Sequence, residues 1–89
     1  MRTLIRVERR DKQMFIDGKS DCSFVRELLQ RLRLIEVDDV LKPMMENVIY
    51  IEASRIIRHP SCPVPCALIK AIEVELGIAV KRDVHFNFI

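Results

Sequence analysis

The residues best equipped for chemistry in this chain are three cysteines, Cys22, Cys62 and Cys66. Two of them lie in His59-Pro60-Ser61-Cys62-Pro63-Val64-Pro65-Cys66, where prolines stiffen the approach to a helix and hold Cys62 just ahead of its N-terminus. A helix start offers free N–H groups and the positive end of the macrodipole, and both favour a thiolate. Cys22 has a comparable setting, because Ser20-Asp21-Cys22 opens another helix. Zinc or an iron–sulfur cluster would take such thiolates, with His59 or Asp21 completing a set built on Cys22, Cys62 and Cys66. The C-x3-C spacing with one distant cysteine matches neither a zinc-finger nor a ferredoxin signature.

Each candidate also has a plainer reading. Free cysteine is a small hydrophobe, and Cys22 borders the Phe24/Leu28/Leu32 stripe as a core residue would. Cys66 points with Lys70 and Glu73 along the polar stripe of the last helix, as a ligand, a resolving thiol for Cys62 or a surface residue. His59, before a proline at a helix end, suits a cap as well as a metal. Loop position makes Cys62 the expected most reactive thiol and Cys22 the protected one. Cys22 and Cys62 are expected to approach each other, because both helices should start at the same end of the sheet.

Several function classes are disfavoured. With two glycines there is no room for a phosphate-cradling loop, and no Walker motif, dinucleotide turn, HExxH helix or nucleophile elbow occurs. Fifteen Lys plus Arg against thirteen Asp plus Glu give a net charge of +2 with the signs interspersed, which does not suggest nucleic acid. Arg2, Arg6, Arg9, Arg10 and Lys12 could form a basic edge for a phosphate-bearing partner, although such charges more often keep a sheet edge soluble. The opening MRTLIRVERR is too charged for a signal peptide, and no apolar run approaches the roughly 20 residues of a membrane span. An odd cysteine count argues against a disulfide framework, so the expected setting is the reducing cytoplasm, with no membrane.

The elements that must position these residues follow from periodicity. Ile5 and Val7 alternate with Arg6 and Glu8, Arg10-Asp11-Lys12 is a polar turn, and Met14-Phe15-Ile16 ends at Asp17-Gly18, so residues 3–17 read as a β-hairpin. Phe24, Val25, Leu28, Leu29 and Leu32 then recur at helical spacing, predicting a helix over about 22–33 capped by Ser20 or Asp21. Pro43 suits the first turn of a second helix, with Met45, Val48, Ile49, Ala53, Ile56 and Ile57 as its apolar face, although Val48–Ile51 could instead be a strand. Pro65 suits the first position of a third helix, running through Leu76 to a Gly77 stop. Val84, Phe86 and Phe88 alternate with His85 and Asn87 as a closing strand. The expected architecture is a single α+β domain over residues 1–89, in which an N-terminal hairpin and a C-terminal strand make a small sheet carrying three helical segments. Leu28 and Ile72, central in their stripes, should be core.

Ser20-Asp21-Cys22, His59 to Pro65 and Ile69-Lys70-Ala71-Ile72-Glu73-Val74 with its following glycine together resemble an uncharacterised family of small proteins of anaerobic prokaryotes, over nearly all of the chain after residue 16. The resemblance implies a stand-alone domain and brings no activity. Members of that family often carry a further Cys-Gly pair in the first hairpin, where this chain reads Lys12-Gln13-Met14-Phe15. Ser61-Cys62-Pro63 is also similar, more weakly, to domains named for a Thr-Ser-Cys-Pro-Asp motif and to NifU/IscU-type cluster scaffolds.

Two functional readings follow. One is a non-enzymatic accessory domain binding a metal or sulfur through Cys22, Cys62, Cys66 and His59. The other is a metal-free module, with structural cysteines, that dimerises or docks on a protein partner. A redox enzyme running a Cys62/Cys66 pair would lack the usual C-x-x-C spacing.

Overall fold

A computed structural model describes residues 2–89. Strands β1 (Thr3–Arg10) and β2 (Gln13–Ser20) form an antiparallel hairpin in unbroken register, from Thr3 opposite Ser20 to Arg10 opposite Gln13. Two residues make the turn, and Asp11 takes the left-handed conformation (φ 59°) that short polar side chains tolerate. Alternation sorts the side chains. Ile5, Val7, Met14 and Ile16 face one way with Gly18, while Leu4, Arg6, Glu8 and Phe15 face the other. Met14 and Ile16 are fully buried, whereas Leu4 is 55% exposed, so one face carries the core and the other is open to solvent.

The strand that completes the sheet is β3 (Leu34–Glu36), antiparallel to β2, giving the order β1-β2-β3. This corrects the expectation for Val84–Phe88, which forms no strand. The chain returns directly from the first helix to the far edge of β2, where Ile16 N–H bonds Arg33 C=O (2.9 Å) and Ile35 is buried opposite Met14. Three residues are too short for periodicity to reveal.

All the helices lie on the core face. They are α1 (Ser23–Arg31), α2 (Val37–Val40), α3 (Val48–Ile56) and α4 (Val64–Glu75), with one 3-10 turn at Met44–Glu46. Helix α1 is shorter than the predicted span. Its N-cap is Cys22, without a side-chain cap bond, so neither Ser20 nor Asp21 caps it. Instead Ser20 Oγ accepts the Cys22 N–H (3.1 Å) and bonds the Thr3 hydroxyl, while Asp21 accepts the Arg2 N–H. Pro43 precedes the 3-10 turn rather than opening a long helix, because Asn47 breaks the run and caps α3 through a bond from Ile49 N–H to its Oδ1 (3.0 Å). Residues 48–56 are helical, which removes the strand alternative.

Helix α4 starts one residue before Pro65 and stops at Gly77. There φ is +77°, and bonds from Gly77 N–H to Val74 C=O and from Ile78 N–H to Glu73 C=O close the end in a Schellman arrangement. Leu28 and Ile72 are buried as expected, in one continuous core with Val25, Leu32, Ile49 and Leu68.

Candidate thiol cleft

Helix α4 fixes two of the cysteines. A turn closed by Cys62 N–H on His59 C=O (3.1 Å) leads into it, and Val64, Pro65, Leu68 and Ile72 bury its inner side. One residue past Pro65, Cys66 is left on the outer side, exposed, while Cys62 in the preceding loop is half-buried against the core. Cys62, expected from its loop position to be the most reactive thiol, is thus less exposed than Cys66. The prolines shape the loop but also thin out its donors: with Pro63 at the cap and Pro65 in the first turn, only Val64 and Cys66 offer free N–H groups there.

Cys62 and Cys66 open into the same cleft, of about 530 Å³, together with Pro63, Lys70, Arg82 and Phe86. Its far wall is the C-terminal segment, which leaves Gly77 and doubles back along α4. Val80 to Arg82 lie beside Lys70 to Glu75, and Arg82 to Phe86 beside Cys62 to Lys70. Cys66 also borders a second hollow, of about 430 Å³, with Tyr50, Ile69, Lys70 and Glu73. Burial, and after it the negative charge of a neighbouring Cys66 thiolate, push the Tyr50 phenol above its ordinary value.

Cys22 is not among the residues lining the cleft. It is half-buried against the core, in keeping with the small-hydrophobe reading. Glu75 at the end of α4 accepts the Arg9 N–H (3.0 Å) at the turn end of the hairpin, so α4 begins toward the other end, where Ser20 and Cys22 open α1. His59 is exposed and holds the Cys62 turn with its carbonyl. Among the described residues, no three His, Cys, Asp or Glu side chains come together closely enough to hold a metal ion. A structural zinc site takes four protein ligands, and the described residues of one copy do not bring such a set together.

The basic hairpin residues are partly spent on their neighbours. Arg10 pairs with Glu8 (3.2 Å) and lies over the Phe15 ring at 4.4 Å, and Arg9 Nε donates to Asp11 C=O (2.8 Å). Arg82 and Phe86 escaped the sequence reading as cleft residues, since their placement depends on the return of the chain along α4, and Tyr50 escaped it because its approach to Cys66 depends on how α3 packs beside α4; neither leaves a local signature. Asn47 escaped it too, although an Asn directly before Val48-Ile49 is a start signal that could have been read.

An open-faced three-stranded antiparallel sheet, with helices on one side and a cleft shared by two thiols at the rim of the last helix, defines a small α+β domain. The chain belongs to a family of unknown function (DUF6951), whose model matches residues 1–88. No curated protein and no solved structure matches it. Among the described residues, no helix is long and apolar enough to cross a membrane.

Proposed function

We propose that this protein is a non-catalytic interaction domain, engaging a protein partner through the face made by the start of α4 and the C-terminal segment. One observation carries the reading: Val80, Val84, Phe86 and Phe88 are 71%, 58%, 73% and 94% exposed along one stretch of chain. Scattered exposed hydrophobes are ordinary, but a contiguous series is what interaction surfaces present. A photo-crosslinking residue in place of Phe86 tests this in cells, with Glu8 on the open sheet face as the control position. Protein crosslinks at 86 and none at 8 are expected. An absence of crosslinks at 86 would sink the proposal.

A second reading rests on the shared cleft of Cys62 and Cys66. Two thiols supply half of a tetrahedral zinc site, the remaining ligands coming from the partner. Zinc, iron and acid-labile sulfide per chain, measured after anaerobic purification, would then be substoichiometric and would vanish in Cys62→Ser/Cys66→Ser. Equal metal in both proteins would rule the cleft out as its site.

A further inference from the structure

We infer that the partner is a second copy of this chain, and that residues 83–89 of each copy add as a fourth strand to the outer edge of β1 in the other. The inference rests on the interaction-domain reading above and names its partner.

Two incomplete halves of one structure are visible in a single chain. The first is the edge. β1 is the outermost strand, and its eight residues contain no proline. Arg9 donates its N–H to Glu75 and not to β2, so the parity of the ladder sends the N–H and C=O groups of Thr3, Ile5, Val7 and Arg9 outward. Among the described residues, no backbone–backbone hydrogen bond is made on that edge, and its one bond is the Arg9 N–H to the Glu75 carboxylate. A long open edge is a template for another strand, and proteins ordinarily cover or break it.

The second half is the strand. Asp83-Val84-His85-Phe86-Asn87-Phe88-Ile89 alternates polar and apolar with a period of two, the pattern of a half-buried strand. Yet among the described residues no backbone hydrogen bond is made beyond Ile78. The doubling back along α4 holds this segment off its own β1. Val84 and Phe86 wall the cleft, yet the Phe86 and Phe88 rings stay largely in solvent.

The edge can receive the pattern. Beside β1 lies a groove of about 310 Å³ whose apolar lining is Val7, Ala71, Val74 and Val80, with Lys70, Glu75, Lys81 and Arg82 also lining it. A strand added at Thr3 to Val7 turns alternate side chains toward that groove and the intervening ones toward the open sheet face. Val84, Phe86 and Phe88 then take the groove side, and His85 and Asn87 the wet side.

Area decides between a passing contact and a stable dimer. Burying the two phenylalanines of each copy removes roughly 600–1,000 Å² from water. With Val84 and Ile89 added on each side, the total enters the range of about 1,200–2,000 Å² typical of specific interfaces. Reciprocal exchange about a two-fold axis uses both β1 edges and both segments, so the exchange closes at two.

Sedimentation equilibrium on the full chain, with hydrogen exchange followed residue by residue, tests the inference. The wild type should sediment as a dimer with slow exchange at the Ile5 and Val7 amides. Phe86→Asp/Phe88→Asp changes only exposed side chains, so it should keep the helical far-ultraviolet circular dichroism signal, become a monomer and exchange rapidly at both amides. A wild type that stays monomeric across the concentration series overturns the inference, including the case in which Ile5 and Val7 are protected by the segment of their own chain. A double variant that remains dimeric, or that exchanges at Ile5 and Val7 as slowly as the wild type, overturns it equally. A monomeric wild type that still crosslinks another protein at position 86 would leave the interaction-domain reading standing and remove the second copy alone.

Discussion

Asn47 is buried to 2% and uses both ends of its amide. Its Oδ1 accepts the Ile49 N–H, while its Nδ2 donates to Val40 C=O (2.9 Å) and Lys42 C=O (3.2 Å). One side chain thereby caps α3 and ties down the end of α2. Asn47→Ala should lower stability by about 1–3 kcal/mol, since it removes a cap and strands buried carbonyls. Asn47→Asp keeps the cap oxygen and loses the two donated bonds, so chemical denaturation should place it between wild type and alanine. Tyr50 gives a pH signature. Because its folded-state value is raised, its contribution to stability is complete below the unfolded value near 10 and is lost as pH rises through the folded value. Denaturation midpoints should therefore fall with alkaline pH more steeply for wild type than for Tyr50→Phe, and matching slopes would remove the coupling. Among the thiols, exposure places Cys66 first in a brief alkylation, ahead of half-buried Cys62 and Cys22. Phe86→Ala, which opens the cleft wall, should speed labelling of Cys62 but not of Cys22, as mass-spectrometric mapping would show.

Between elements, the closest fit is at Gly18. A Cβ there would stand 2.3 Å from the Leu4 carbonyl oxygen and 3.1 Å from Leu29 Cδ1, so the missing side chain is what lets β1, β2 and α1 approach together. Gly18→Ala should cost on the order of 1–3 kcal/mol, the range for overpacking a core, and a melt equal to wild type would show that the strands can separate freely. This level also shows what the sequence could tell. The hairpin, α1 and α4 were legible because eight or more residues repeat one period with a stop signal, Gly77 being the plainest. The short β3 and the 3-10 turn were not, because three residues carry no period and their burial is imposed by what they pack against. The alternation of Val84, Phe86 and Phe88 was read correctly as a pattern and wrongly as a strand within this chain, since a pattern states what a segment could pair with and not where a partner lies. For the cysteines, type and spacing identified the loop before α4, while the opening of Cys62 and Cys66 into one cleft that Cys22 does not line depended on tertiary placement.

At the scale of the molecule, the core ends at α4 while the chain continues. Its last fully buried residue is Ile72 at 1% exposure, with Leu76 packed partly against it, and every residue from 80 onward is exposed. Folding and assembly should therefore separate. Ile72→Ala leaves a cavity beneath α4 and should cost about 2–5 kcal/mol, a large share of the 5–15 kcal/mol that holds a typical domain together. In a domain of this size each kcal/mol moves the melting temperature by about 4–8 °C, so the loss is easily measured. Truncation after Arg82 removes no core atom and should leave the melting temperature of a dilute sample close to that of wild type. At high protein concentration the two should diverge, because association stabilises only the chain that carries the segment and makes its melting temperature rise with concentration. Ile72→Ala should be destabilised at every concentration. A truncated chain that melts as early as Ile72→Ala when dilute would mean that the segment belongs to the core after all. Identical melts for truncated and full-length chains at every concentration would mean that the segment does not hold two copies together.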